Sequence, residues 1–238
     1  MTIMESILLK LKQVAKQLHM DKESRIDPTP AASGSTAITV DTQFTPAQRQ
    51  EINDAMSVIF KLFGGSEKFY ALTGIPELKF VSTTRLSCAA SNAAACYVGN
   101  GVIEMSAAAL SPNALIPGWY IAHEVGHAFD FSRSKGKPRL YRSQAFVDHF
   151  VPRSWWQRLL GLPGGRVAGN VGYQSAQWTN IAKETGASIR GQLNSAEDFA
   201  ETFAVIYAVT VTQGGLPYRS FNSQWRFDKL KTMIKGEI

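Results

Sequence analysis

The sequence has few of the residues that mark several common protein classes. It contains 2 cysteines in 238 residues, too few for a disulfide-rich scaffold. No apolar run approaches the length of a transmembrane helix. The first 20 residues lack the uninterrupted apolar core of a secretory signal, because Lys10, Lys12 and Lys16 break it. The compartment is therefore left open between the cytoplasm and export by a non-classical route.

Charge is also limited. Charged residues make up 18% of the chain and apolar residues 45%, a balance typical of a globular protein. The net charge of +6 is scattered, and its densest run lies between Arg133 and Arg142. That run contains a single aromatic residue, Tyr141, fewer than usually interleave with the basic residues of nucleic-acid-binding surfaces. We interpret it as a solvated loop and expect no specific nucleic-acid binding.

The chain divides into three parts. Residues 1–20 predict an amphipathic helix, because apolar residues recur at helical spacing at Met4, Ile7, Leu8, Leu11, Val14 and Leu18. This helix could dock on the domain or bind a protein partner, and weak membrane contact is a third alternative. Residues 21–37 are rich in proline, serine and small residues and predict a flexible linker. The folded domain then covers residues 38–238.

The domain predicts an α+β fold. A helix is expected from Pro46, capped by Thr45 and ended by Gly64. Residues 77–83 predict a strand, and residues 94–106 predict a hairpin that turns at Gly99-Asn100-Gly101. Another helix opens near Pro117. We expect a small mixed sheet beside that helix and a mostly helical C-terminal part.

The stretch WYIAHEVGHAFDF, residues 119–131, contains two of the four histidines in the chain. On a helix, His123 and His127 lie on one face and present two imidazoles to one point, as two zinc ligands require. Glu124 is rotated away from that point, so its carboxylate reaches a water on the metal. Gly126 lets another element approach closely. The pattern predicts one Zn²⁺ per chain.

A catalytic zinc needs a third protein ligand. Residues 194–208 predict an acidic helix in which Ser195 is the N-cap and Asp198 its capping-box partner. Glu197 and Glu201 share one face of this otherwise apolar helix, where like charges are unfavourable unless a cation is near. We assign Glu197 as the third ligand. Glu201 is assigned as the carboxylate that supports a ligand histidine by accepting from its N–H.

HEVGHAFD followed by NSAEDFAETF resembles the anthrax lethal factor and Pro-Pro endopeptidase family of zinc metallopeptidases, within the gluzincin branch of zincins. The resemblance implies a zincin-like metallopeptidase domain with His123, His127 and Glu197 as zinc ligands and Glu124 as general base. It also implies that GVIEMS, residues 101–106, is the edge strand along which an extended peptide or protein substrate lies.

The family carries a tyrosine seven residues before its ligand glutamate, and this chain has Arg190 there. Arg190 is one candidate for stabilising the oxyanion, and Tyr173 is the alternative. Tyr207 and Tyr218 are two further choices. The segment around Trp155 and Trp156 could be a core helix, a lid, a partner-binding patch or a membrane-touching loop. The resemblance does not decide among these.

These features predict a zinc-dependent metallopeptidase that hydrolyses peptide bonds through a metal-activated water, with Glu124 as general base. Two alternatives remain. One is a regulatory zincin that keeps the metal helix and acts mainly as a protein-binding module. The other is a degenerate zincin that binds no zinc and serves as an interaction domain.

Cys88 and Cys96 flank an alanine-rich stretch. Their spacing suits a disulfide that closes this short loop, which would add roughly 2 to 3 kcal/mol of stability at most. The alternative is two free thiols that behave as small apolar residues.

Overall fold

The structure is a computed structural model that describes residues 38–88, 93–110, 116–131, 142–150, 193–212 and 224–236. The predicted helix at residues 1–20, the linker at 21–37 and the segment around Trp155 and Trp156 lie outside these ranges. The described part is a mixed α+β structure with one small sheet and more helix than strand.

The four described strands precede the 3₁₀ turn, and the described elements after that turn are helices. In chain order, the elements are β1 (Thr39–Val40), α1 (Pro46–Phe63), α2 (Ser66–Thr73), β2 (Lys79–Ser82), β3 (Ala95–Gly99), β4 (Val102–Met105), a 3₁₀ turn (Ala107–Ala109), α3 (Trp119–Asp130), α4 (Gln144–Phe150), α5 (Ser195–Val211) and α6 (Gln224–Lys235).

Helix α1 begins and ends where the sequence predicts. The Thr45 side chain accepts from the N–H of Gln48, the Gln48 side chain accepts from the N–H of Thr45, and Pro46 is the first helical residue. Gly64 ends the helix in a left-handed conformation with φ of 80°. Strand β1 and helix α2 were not predicted, because each is too short for a periodic pattern of apolar residues to be recognised.

The sheet is mixed, with strand order β1-β2-β4-β3. Strands β1, β2 and β4 are parallel, and β3 runs antiparallel to β4. The predicted hairpin is confirmed: Asn100 and Gly101 turn it with φ of 51° and 80°.

The expectation that residues 101–106 form the edge strand is wrong. Strand β4 lies inside the sheet, because its second side pairs with β2 from Lys79↔Val102 to Ser82↔Met105. The edge strand beside α3 is β3. Turn residues indicate which strands form a hairpin, but they give no information about a parallel partner from elsewhere in the chain.

Helices α3 and α5 pack closely in the core. A Cβ atom added at Gly126 would lie 2.9 Å from Ala200 Cα and 3.1 Å from Phe203 Cβ, nearer than carbon atoms normally approach. This confirms that Gly126 lets another element come close. Phe129 extends the contact, with its ring 6.2 Å from that of Phe203 and 5.0 Å from that of Phe63 on α1.

The N-terminal cap of α5 differs from the expected one. Asn194 is the N-cap, and its side chain accepts from the N–H of Glu197 at 2.9 Å. Ser195 lies inside the first turn, so its predicted role as N-cap is wrong. Asp198 is not its capping-box partner, because the carboxylate is fully buried and accepts from Arg226 Nε of α6 at 2.8 Å. The aspartate therefore turns into the core and joins two helices.

Arg226→Met tests this buried ion pair. The substitution leaves the Asp198 carboxylate buried without its cation, which should lower the free energy of unfolding by about 3–5 kcal/mol. Urea denaturation of the variant and the native chain measures the difference.

A matched control removes both charges. Asp198→Leu combined with Arg226→Met should recover most of the lost stability, because neither charge of the pair then remains buried. A loss below about 1 kcal/mol in Arg226→Met alone would contradict the role given to the pair.

Candidate functional site

The N-terminus of α3 is held by two other helices. Gly118 adopts φ of 79° and donates its N–H to Glu51 Oε1 of α1 at 3.0 Å. The hydroxyl of Tyr207 on α5 donates to the carbonyl of Pro117 at 2.9 Å. A Cβ added at Gly118 would lie 2.8 Å from Ala55 Cβ and would also overlap the Tyr207 hydroxyl. Glycine is required here both by the backbone conformation and by the lack of space.

The C-terminus of α3 is fixed by the residues before α4. The buried carboxylate of Asp130 accepts from the N–H of Ser143 at 2.6 Å. Arg142 donates to the carbonyls of Phe129 and Leu72, the latter at 2.7 Å, and its guanidinium lies 4.2 Å from the Phe129 ring centroid. Both ends of the helix that carries the two histidines are therefore held in position.

Three side chains from α3 and α5 converge at one point. His123 Nε2 lies 3.1 Å from His127 Nε2 and 3.4 Å from Glu197 Oε2. His127 Nε2 lies 3.6 Å from Glu197 Oε1. Within the described ranges these residues form the group that could hold a metal ion, with one donor atom from each lying within 4.8 Å of the others. The structure thus brings together the ligand set predicted from the sequence.

Glu201 supports the same point from the next turn of α5. Its Oε1 lies 2.8 Å from His123 Nδ1, on the side of the ring opposite the converging atoms. Both side chains are nearly excluded from solvent. A carboxylate in this place fixes the orientation of the ring and keeps Nε2 directed at His127 and Glu197. This is the arrangement expected of Glu201 from the sequence.

The electrostatics of the cluster favour a positive charge. Burial lowers the pKa of His123. The carboxylates of Glu197 and Glu201 and the charge of Glu124 raise it by more than burial lowers it, so that the pKa is about 9. Burial raises the pKa of Glu197, yet hydrogen bonds to His123 and His127 hold it well below its usual range. Three carboxylates around two imidazoles are stabilised by any cation bound among them.

Glu124 is held by the edge strand. Its buried carboxylate accepts from the backbone N–H of Tyr97 on β3 through Oε2 at 2.7 Å. This contact was missed from the sequence, because every residue except proline has the same backbone donor. It places the carboxylate beside the three converging side chains without making it one of them.

A cavity of about 280 Å³ opens onto this cluster. Its lining includes Glu124, His127 and Glu197 from the cluster and Tyr97 and Phe131 from the rim. The side chains of His127 and Glu197 are 20% and 18% exposed, whereas that of His123 is 3% exposed. His127 and Glu197 are therefore reached from the cavity, whereas His123 is not among the lining residues.

Three of the candidates for stabilising the oxyanion, Arg190, Tyr173 and Tyr218, lie outside the described residues, as do residues 132–141. The hydroxyl of Tyr207 instead donates to the Pro117 carbonyl at the start of α3. Cys88 and Cys96 are both free thiols in the structure. Their ability to form a disulfide stays a prediction.

Comparison of the chain with protein-family models, with curated proteins and with solved structures gave no match. Among the helices that the structure describes, none is long and apolar enough to cross a membrane.

Asp130→Asn tests the buried carboxyl at the end of α3. Burial raises the pKa of Asp130 from 3.8 to about 6, although the Ser143 hydrogen bonds and the charges of His127 and Arg142 oppose this. A raised carboxyl pKa stabilises the fold below the unfolded value, and that contribution is lost as the pH rises through about 6. Asparagine keeps the oxygen that accepts from Ser143 but cannot ionise.

The free energy of unfolding of the metal-free native chain should therefore fall as the pH rises from 4 to 7. This fall should be larger than that of metal-free Asp130→Asn by up to about 3 kcal/mol. Denaturant titrations at each pH measure it. Parallel pH profiles for the two proteins would contradict the raised pKa.

Proposed function

We propose that the chain is a zinc-dependent metallopeptidase with a zincin-like fold. The observation that carries this proposal is the convergence of His123, His127 and Glu197 at one accessible point, with the carboxylate of Glu124 beside it. The arrangement of α3 next to a mixed sheet, with β3 as the adjacent edge strand, supports the zincin-like fold. The resemblance of the two motifs to gluzincins supports it further.

The donor set supports zinc as the metal. Two histidines and one glutamate are a ligand set of catalytic zinc sites, which keep a fourth position open. Ligand atoms about 2.0–2.1 Å from a tetrahedral zinc lie roughly 3.3–3.4 Å from one another. The three separations here are 3.1, 3.4 and 3.6 Å. The side chains therefore fit such an ion with little movement.

A zinc ion bound there would lower the pKa of a water ligand to about 7 and polarise a substrate carbonyl. Glu124 has the position of a general base, because it lines the cavity without being one of the converging ligands. The Tyr97 N–H holds one carboxylate oxygen, and the other can take the proton of the attacking water and deliver it to the leaving amine. Glu201 keeps His123 oriented throughout.

The substrate proposed for this site is a peptide or protein in an extended conformation. Strand β3, rather than β4, is the strand that borders the cavity. Any peptide that follows the sheet edge would therefore run beside β3. Binding of a protein partner through residues 1–20 is a separate proposal, which is based on the sequence.

Alanine substitution tests the ligand set. His123→Ala, His127→Ala and Glu197→Ala should each lose most of the single zinc ion per chain and the thermal stabilisation that accompanies binding. Elemental analysis and melting curves with and without added zinc measure the two effects. Glu67→Ala, on the exposed face of α2, is the matched control and should keep both. Full zinc occupancy in Glu197→Ala would remove that residue from the ligand set.

Glu124→Gln separates metal binding from catalysis. The amide oxygen can still accept from the Tyr97 N–H, so fold and zinc content should be unchanged. Hydrolysis should fall by about 10²–10⁴-fold, because general-base assistance is removed. Cleavage of a peptide library, followed by mass spectrometry, measures this, with Glu67→Gln as the control.

The outcomes of that experiment distinguish the alternatives. Near-normal hydrolysis by Glu124→Gln would exclude the role given to this residue. A zinc-loaded native chain that cleaves nothing would favour a regulatory binding module, and a native chain that binds no zinc would favour a degenerate zincin.

A further inference from the structure

Both cysteines lie beside the proposed catalytic cleft. Cys88 and Cys96 line the cavity of about 280 Å³ that also contains Glu124 and His127. They also line an adjoining cavity of about 390 Å³, together with Phe131 at its rim. The chain has no other cysteine. The thiols therefore occupy the space that a ligand of the cleft would approach.

The two thiols line the same two cavities but differ in exposure. Cys88 is half-buried, whereas Cys96 is 7% exposed. Burial raises the pKa of Cys96 to about 12, and the neighbouring Cys88 and the charge of Glu124 add to the rise. Because access to the thiol governs its reaction with a dissolved disulfide, Cys88 is the thiol that we expect to react first.

We propose that Cys88 and Cys96 form a redox modification site. In it, Cys88 reacts with a low-molecular-weight disulfide such as oxidised glutathione, and Cys96 then displaces the adduct to leave a disulfide within the chain. The shared cavities bring the two thiols to one place, and the difference in exposure assigns the order. No metal is required for either step.

The electrons and atoms balance with oxidised glutathione as the oxidant. The Cys88 thiolate sulfur bonds to one glutathione sulfur, the glutathione S–S bond breaks, and the leaving thiolate takes a proton from solvent. Cys96 then loses its proton to solvent, its sulfur bonds to Cys88, and the second glutathione leaves. Two protein thiols are oxidised and one glutathione disulfide is reduced to two thiols.

The second step is expected to be slower than the first. Cys96 is 7% exposed, and its burial opposes formation of the thiolate that must attack the adduct. We therefore expect the adduct on Cys88 to be detectable early.

The modification also bears on the cleft. An adduct on Cys88 would occupy the cavity that contains Glu124, whereas neither cysteine belongs to the converging metal group. The adduct should therefore block peptides without releasing zinc, and displacement by Cys96 should clear the cavity. This consequence rests on the proposed peptidase function, and the thiol chemistry does not.

Intact-mass spectrometry of the full chain tests the thiol chemistry. Reduced protein is incubated with oxidised glutathione and then alkylated. The native chain should pass through a single adduct to a product that has lost two hydrogens and resists alkylation. Cys96→Ser should stop at one adduct on Cys88, and Cys88→Ser should form neither adduct nor disulfide. Cys96→Ala is a second variant that keeps a small buried side chain, and circular dichroism checks the fold of each.

Two alkylated thiols in the native chain after this treatment would overturn the proposal. Adduct formation on Cys96 in Cys88→Ser, as fast as on Cys88 in Cys96→Ser, would overturn the order of attack. Peptide hydrolysis by the Cys96→Ser adduct should be lost at unchanged zinc content and restored by a reductant. A native chain that cleaves no peptide would count against the peptidase and leave the mass-spectrometric result valid.

Discussion

The close packing of α3 against α5 is the constraint on which the site depends. At Gly126 the two helices approach so nearly that even a methyl group would overlap Ala200. This contact sets the distance between the histidines of one helix and Glu197 of the other. Because the donor atoms must lie within a few ångströms of one point, a larger residue at Gly126 would separate the helices and the ligands together.

That packing also concentrates charge where it is costly. Burying Glu201 and His123 is tolerated because they pair with each other, and Glu197 bonds to both histidines. Asp198, on another face of the same helix, is neutralised by Arg226 instead. Helix α5 thus carries one carboxylate for a structural ion pair and two others that face the histidines of α3. The carboxylates of the helix serve these two roles because their side chains leave the helix in different directions.

The parts of the structure that depend on local spacing could be predicted. The two histidines share a face because of helix periodicity, and Gly126 opens the same helix to a neighbour. Parts that depend on distant segments could not be predicted from one sequence. Strand β4 acquires its second neighbour from β2, and Glu124 is fixed by a backbone N–H on β3, a group that almost every residue possesses. Such contacts leave no side-chain signature in the sequence.

X-ray absorption spectroscopy of the zinc-loaded chain tests the central claim most directly, because it reports the atoms bound to the metal. The account predicts nitrogen and oxygen donors at about 2.0–2.2 Å with the outer-shell scattering of two imidazole rings. It also predicts that one imidazole disappears in His127→Ala. Sulfur at about 2.3 Å, or scattering from fewer than two imidazoles in the native chain, would contradict it.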